Sequence, residues 1–219
     1  MMNGMNKVLR DYIPHLTMPF LDDVPIKGCI EQEKNEEVKE DGCRVFVKEH
    51  IGDCEKILTR LEEVNLTLSG PKSVFGVNEV LIVGHMCGFY GRRPPPSKVD
   101  AIEKIVEICS SVSEVRRFLG ACVFYIIWIP HFPHIADVLY NLLRKRQKFF
   151  STEQHTKAMR KLKHLLKSAP ILRKADYEGG RPIVITVDTS PIGIGWAIGQ
   201  DDEEGHRYAI WFGAKVLSG

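Results

Sequence analysis

The sequence predicts an α+β protein, read from three stretches of different periodicity along its 219 residues. The first joins a short acidic hairpin and a small antiparallel sheet to a long amphipathic helix. The second is a run of helices, one of them nearly all apolar. The third alternates β-branched residues with period two. Apolar residues recurring every three or four positions mark helices, and strict alternation marks half-buried strands. The connector Arg92-Arg93-Pro94-Pro95-Pro96 separates the first stretch from the second, because consecutive prolines stiffen an extended chain.

Residues 3–13 place Met5, Val8, Leu9, Tyr12 and Ile13 on one helical stripe, with Asn3 as a cap. The segment HLTMPFLDDVPIKG follows. Phe20-Leu21 runs up to Asp22-Asp23, and Val24-Pro25-Ile26 runs away. Aspartate tolerates turn geometry, so two aspartates between apolar arms indicate a hairpin. Adjacent carboxylates at such a tip suit Mg²⁺, which takes hard oxygen ligands and is commonly held by one or two carboxylates plus substrate phosphates. Taken alone, an Asp-Asp pair is more often a solvated turn.

Residues 29–42 read as a solvated loop, and 43–64 as a long helix with Val47, Ile51, Cys54, Ile57, Leu58 and Leu61 inward. His50 and Cys54 are one turn apart, but no second pair completes a zinc site. Three strands are expected at 66–68, 73–75 and 80–87, with Gly84, Gly88 and Gly91 allowing tight bends. Helices follow at 98–107 and 114–127, capped by Ser97 and Ser113, then at 133–145 and 152–168. The 114–127 helix is expected to be the buried centre of the helical part. His131 and His134 read as structural histidines of a loop. From Pro182 an antiparallel meander is expected, with strands at 183–187, 193–198 and 207–212, and Asp188 closing the first.

The formal net charge of +2 conceals segregation. Residues 31–63 carry 11 acidic and 6 basic side chains, whereas residues 140–174 carry 11 Lys/Arg against Glu153 alone. A solvated helix face normally mixes signs, so the second stretch suits a polyanion. Arg144, Lys145, Arg146 and Lys148, then Arg160, Lys161, Lys163 and Lys167, are the candidate phosphate contacts. The six cysteines form no Cys-x-x-Cys pair, which reads as reduced thiols in an intracellular protein. No secretory leader and no membrane-length apolar run is evident.

Together the motifs resemble, in order, the polymerase and RNase H portion of gypsy-type long-terminal-repeat retrotransposon Pol polyproteins. FLDD resembles the aromatic-x-Asp-Asp box of the polymerase palm. IVGHMCGFYG with PSKVDAI resembles the palm–thumb junction and its primer-gripping hairpin. SEVRRFLGACVFYIIWIPHFPHIADVLYNLL resembles the thumb, AMRKLKHLLKSAPIL the tether, and VDTSPIGIGWAIGQ the opening strands of RNase H. The resemblance implies a palm portion over 1–93, a helical thumb over 94–150, and a tether with the first RNase H strands over 151–219. It implies Asp22, Asp23 and Asp188 as catalytic Mg²⁺ ligands, and Phe20, Gly84, His85 and Gly91 as contacts to an RNA/DNA template–primer.

Departures from the family are informative. The palm site uses a further upstream carboxylate and RNase H uses later ones, and neither is found in this sequence. Phe20 stands where Tyr is commoner, and no Trp follows Phe149-Phe150. The resemblance therefore implies a fragment of an RNA-directed DNA polymerase with RNase H, inactive by itself. The alternatives are a non-catalytic nucleic-acid-binding module or a degenerate remnant of a retroelement.

Overall fold

The computed structural model describes residues 2–28, 42–144, 148–177, 179–191 and 193–217. Most of the loop expected at 29–42, together with Lys145 and Arg146, lies outside the described residues. The chain divides into two compact units, residues 1–83 and 84–219.

In the first unit, helix α1 (Met2–Val8) leads through a 3₁₀ turn (Arg10–Tyr12) to the acidic hairpin, and α2 spans Val45–Glu63. The predicted stripe closes a small core. Leu9, Ile57 and Leu61 are buried, with Met5, Val8, Tyr12, Ile13, Val24 and Ile26 packed around them. Arg60 Nε donates to the Val8 carbonyl at 3.1 Å, joining α2 to the end of α1.

Two expectations for this unit are corrected. Ile51 and Leu58 of α2 are exposed, because the buried face of the helix is the narrower one carrying Ile57 and Leu61. Residues 66–68 and 73–75 form no strands; a 3₁₀ turn (Gly70–Lys72) lies between them, and Leu66, Leu68, Val74 and Phe75 are exposed. β-Prone composition makes a strand only where a ladder partner and a packing face exist. Strand β1 is Glu79–Ile82.

The second unit opens with an antiparallel pair, β2 (His85–Gly88) and β3 (Gly91–Arg93), in the register Met86 to Arg93 and Cys87 to Arg92. Helices α3 (Pro96–Glu103), α4 (Val112–Phe124), α5 (Phe132–Asn141) and α6 (Glu153–Lys167) follow. The caps fall earlier than expected. Pro95 precedes α3, and Ser111 caps α4, accepting from the Glu114 N–H at 3.3 Å. Glu114 reaches back to the Ser110 N–H at 2.7 Å, which holds its carboxyl below the usual carboxylate range. At α6 the Thr152 N–H donates to His155 Nδ1 at 2.9 Å, a capping box built with histidine.

The expected buried centre is present. Val115, Phe118, Leu119 and Cys122 of α4 meet Trp128, Leu139, Met159 and Leu162 in one core. Burial pushes the Cys122 thiol up to about 12. The meander also forms, longer than expected, as β4 (Ile183–Thr189), β5 (Gly193–Asp201) and β6 (Arg207–Val216) in sequential antiparallel order. Trp196 lies opposite Gly213, and a Cβ on that glycine would fall 2.1 Å from the indole, so the pair requires glycine. Ala209, Trp211, Phe212 and Ala214 of β6 pack against the helical core.

Candidate functional site

Asp22 and Asp23 sit where the sequence places them, at the tip of a tight hairpin. Phe20 and Asp23 exchange both backbone hydrogen bonds, at 2.9 and 3.0 Å, and Thr17 pairs with Ile26 further down. Thr17 is buried and its hydroxyl donates to the Pro25 carbonyl at 2.8 Å, fixing the base of the hairpin. Leu21 has φ +56, and Asp22 is not among the positive-φ residues. Positive φ at the first central residue alone is the type II′ pattern, which suits hairpin twist but normally takes glycine. A leucine there is strained, and strained backbone clusters at functional sites.

Phe20, Leu21, Asp22 and Asp23 are all exposed. The carboxylates thus offer hard oxygen donors to solvent instead of spending them on internal hydrogen bonds. Among the described residues no group of three or more His, Cys, Asp or Glu could hold a metal. Two exposed carboxylates fit a Mg²⁺ whose remaining ligands are substrate oxygens and water. Cys54 Sγ and His50 Nε2 are 3.7 Å apart, and His50 Nδ1 is 3.1 Å from the Lys27 carbonyl, an arrangement internal to the fold.

Asp188 lies within β4 opposite Gly195, with its side chain 62% exposed. Its Oδ2 is 3.6 Å from Nδ1 of His131, the left-handed residue that precedes α5. Spacing along the chain does not reveal this pairing, since the two residues are far apart and belong to different elements.

The β2–β3 hairpin has a second face. Gly84 (φ +78) lies against Phe124, where a Cβ would come within 2.9 Å of the ring. His85 stacks on Phe124 at 5.5 Å between ring centroids and leans on Trp128 at 5.1 Å. Burial first, and then the charge of Arg92, lowers its pKa. Gly91 (φ +131) passes so close to residue 172 that a Cβ would lie 2.2 Å from the Leu172 carbonyl oxygen. That approach lets Arg92 and Leu172 exchange two backbone hydrogen bonds of 2.9 Å. Gly84, His85 and Gly91 therefore shape and anchor the hairpin, while its tip presents Phe89 and Tyr90 to solvent.

The sequence reading overlooked an exposed stripe on α4. Arg116, Gly120 and Phe124 are spaced at i, i+4 and i+8 and are exposed, so they share one helical face. No atom lies within 4 Å of a Cβ built on Gly120, leaving room for close approach. Phe124 joins this stripe to the hairpin through His85. Alternation of charge and apolarity along α4 carried the signal, but the helix reads as wholly buried when only its hydrophobicity is weighed.

The basic candidates separate into groups. Arg144 and Lys148 are exposed and have no ion-pair partner among the described residues, as is also true of Lys161. Arg160 and Lys167 are exposed but paired, Arg160 Nε to Glu107 at 2.5 Å and Lys167 to Glu103 at 2.9 Å. Lys163 is a correction: its side chain is only 6% exposed, and its ammonium donates to the carbonyls of Glu103 at 2.9 Å and Ile105 at 2.5 Å. A buried lysine satisfying the end of α3 is structural and does not reach a phosphate in this arrangement.

Similar proteins are known. Residues 152–219 match the family model of the RNase H-like domain found in reverse transcriptase. Over 198 residues, 90% of this chain, the sequence is 29% identical to the retrovirus-related Pol polyprotein from transposon 297 of Drosophila melanogaster, covering 17% of it. It is 25% identical over 169 residues, 77% of this chain, to the transposon Tf2-3 polyprotein of Schizosaccharomyces pombe, covering 12% of it. The chain thus spans less than a fifth of the length of the curated relatives it matches.

In fold, 99% of the chain superimposes on the foamy viral protease-reverse transcriptase in complex with RNA/DNA hybrid, with a TM-score of 0.75 at 22% identity over 26% of that chain. The same protein in complex with dsDNA gives 0.76 at 22% identity over 41% of that chain. An α+β arrangement of two small antiparallel sheets and helices is shared with both. The matched RNase H-like segment and the polyprotein relatives agree: over most of its length the chain is similar to the reverse transcriptase–RNase H region of retrotransposon Pol polyproteins.

Proposed function

We propose that this chain supplies the primer-end and duplex-tracking part of a metal-dependent reverse transcriptase, with residues 1–93 in the palm, 94–150 in the thumb and 151–219 in the tether and opening RNase H strands. The observation that carries the reading is the exposed Asp22–Asp23 pair on a hairpin strained at Leu21. Mg²⁺ bound there would neutralise charge on transferring phosphoryl oxygens. Asp22 and Asp23 would hold that ion, and Asp188 would hold one serving hydrolysis of an RNA strand. The β2–β3 tip, the Arg116–Gly120–Phe124 stripe and the exposed Arg144, Lys148 and Lys161 contact the duplex backbone. Exposed aromatic rings can stack on bases or sugars, and cations on phosphates.

The duplex-binding module is the second reading, favoured by the exposed aromatic rings Phe89, Tyr90 and Phe124. Under both readings the isolated chain binds duplex and extends no primer, because no three-carboxylate group forms among the described residues. The five described cysteines are free thiols, which supports an intracellular setting. No described helix is long and apolar enough to cross a membrane.

The test is paramagnetic. Mn²⁺ substituted for Mg²⁺ is expected to broaden the amide resonances of residues 20–24 and 186–190 selectively, more strongly once an RNA/DNA hybrid is present. Broadening centred elsewhere, or spread evenly over all exposed acids, would contradict the metal assignment.

A further inference from the structure

Helix α6 presents its basic residues in two adjacent stripes. Arg160, Lys163 and Lys167 follow each other at i, i+3 and i+7 and face α3, whereas Lys157, Lys161 and His164 are exposed beside them. The α3-facing stripe is met by two carboxylates. Glu107 takes Arg160 at 2.5 Å and lies 3.8 Å from Lys163, and Glu103 takes Lys167 at 2.9 Å. The central lysine is buried and fixed by backbone carbonyls. The flanking cations remain 62% and 63% exposed, within reach of a ligand from solvent.

We propose that Glu103 and Glu107 are built-in phosphate mimics that keep the basic face of α6 closed, and that a polyanion backbone opens it by displacing them. The proposal rests on the reading that the chain binds nucleic acid and adds a self-capped surface to it. The energetics permit exchange. Exposed ion pairs of this kind contribute about 0–1 kcal/mol each. A polyphosphate strand offers several charges at once and gains from counterion release. Lys163 serves as the fixed pivot, since its carbonyl contacts persist when the carboxylates swing away. Lys161 and His164 extend the opened face along the helix.

The test compares four chains on a heparin column and against an RNA/DNA hybrid: wild type, the double variant E103Q/E107Q, that variant with R160A and K167A added, and a charge-matched control, E49Q/E62Q, at two exposed positions of α2. E103Q/E107Q is expected to elute from heparin at higher salt than the control, and adding R160A and K167A is expected to cancel the gain. Against the hybrid, E103Q/E107Q is expected to bind more tightly than the control at each salt concentration with a similar log–log slope, because both chains make the same phosphate contacts once the carboxylates are displaced. Equal elution of E103Q/E107Q and E49Q/E62Q overturns the cap. A heparin shift without hybrid binding by any variant upholds the cap and overturns the nucleic-acid reading. Circular dichroism is expected to show the same fold in all variants, because glutamine keeps the size of glutamate and Lys163 keeps its two carbonyl contacts.

Discussion

Lys163 of α6 holds its ammonium 2.9 Å from the carbonyl oxygen of Glu103, the last residue of α3. A residue that composition assigns to phosphate binding thus ties together two helices separated by about sixty positions. Its replacement by alanine leaves two carbonyls without their donor and removes a buried stem. Hydrogen bonds to charged groups are worth about 1.5–3 kcal/mol each, so Lys163→Ala is expected to destabilise by about 2–4 kcal/mol in urea unfolding. Lys161→Ala, on the opposite, exposed side of α6, is expected to stay within about 0.5 kcal/mol of wild type.

His85 makes stability depend on pH in a defined direction. Burial among Phe124, Tyr125 and Trp128 lowers its folded pKa, and the Arg92 charge adds to this. The unfolded chain therefore binds the proton more readily, so stability rises with pH. The contribution is fully present above the unfolded value near 6.5 and is lost as pH falls from there through the lowered folded value. Unfolding curves between pH 7.5 and about 5 are expected to weaken in wild type and to flatten in His85→Phe, which keeps an aromatic ring in the stack. An unchanged pH dependence in the variant would contradict the assignment.

Gly91→Ala tests the close approach of β3 to residue 172. With φ +131 and the Leu172 carbonyl oxygen 2.2 Å from the new Cβ, the backbone must move. Strained φ and overpacking each cost on the order of 1–3 kcal/mol, so a loss of about 3 kcal/mol or more is expected. Amide exchange at Arg92 and Leu172 is expected to quicken in step. Gly120→Ala, on the open stripe of α4, is expected to preserve or slightly raise stability, since alanine is the better helix former.

Much of the architecture was legible because periodicity reports directly on burial. The α1 stripe from Met5 to Ile13, the apolar faces of α5 and α6, and the three-stranded meander are all read from spacing. Leu66-Thr67-Leu68 and Ser73-Val74-Phe75 misled because strand formation depends on a partner that lies elsewhere in the chain. Lys163 misled because charge composition cannot distinguish a lysine facing water from one facing α3. Gln200 gave no signal at all. It is fully buried, with bonds to the Asp176 N–H, the Asp176 and Arg181 carbonyls and the Tyr208 hydroxyl, satisfying its amide on every side. Such a residue is recognisable only once the loop it organises has been folded around it.

Leu21 offers a local test of the acidic hairpin. Its φ of +56 costs a non-glycine residue about 1–2 kcal/mol, and glycine loses about 0.5–1 kcal/mol through added freedom in the unfolded chain. Leu21→Gly is therefore expected to raise stability by roughly 0.5–1 kcal/mol, measured by thermal unfolding. A clear loss of stability would contradict the strain assigned to Leu21.

The most direct measurement of the central claim is fluorescence anisotropy of an RNA/DNA hybrid titrated with the chain across a salt series, for wild type and for Asp22→Asn, Asp23→Asn. Binding is expected at low salt, with an affinity that falls linearly on a log–log plot, and with the double variant binding as well as wild type or slightly better. Absent binding, or affinity indifferent to salt, would contradict a phosphate-tracking surface in this chain.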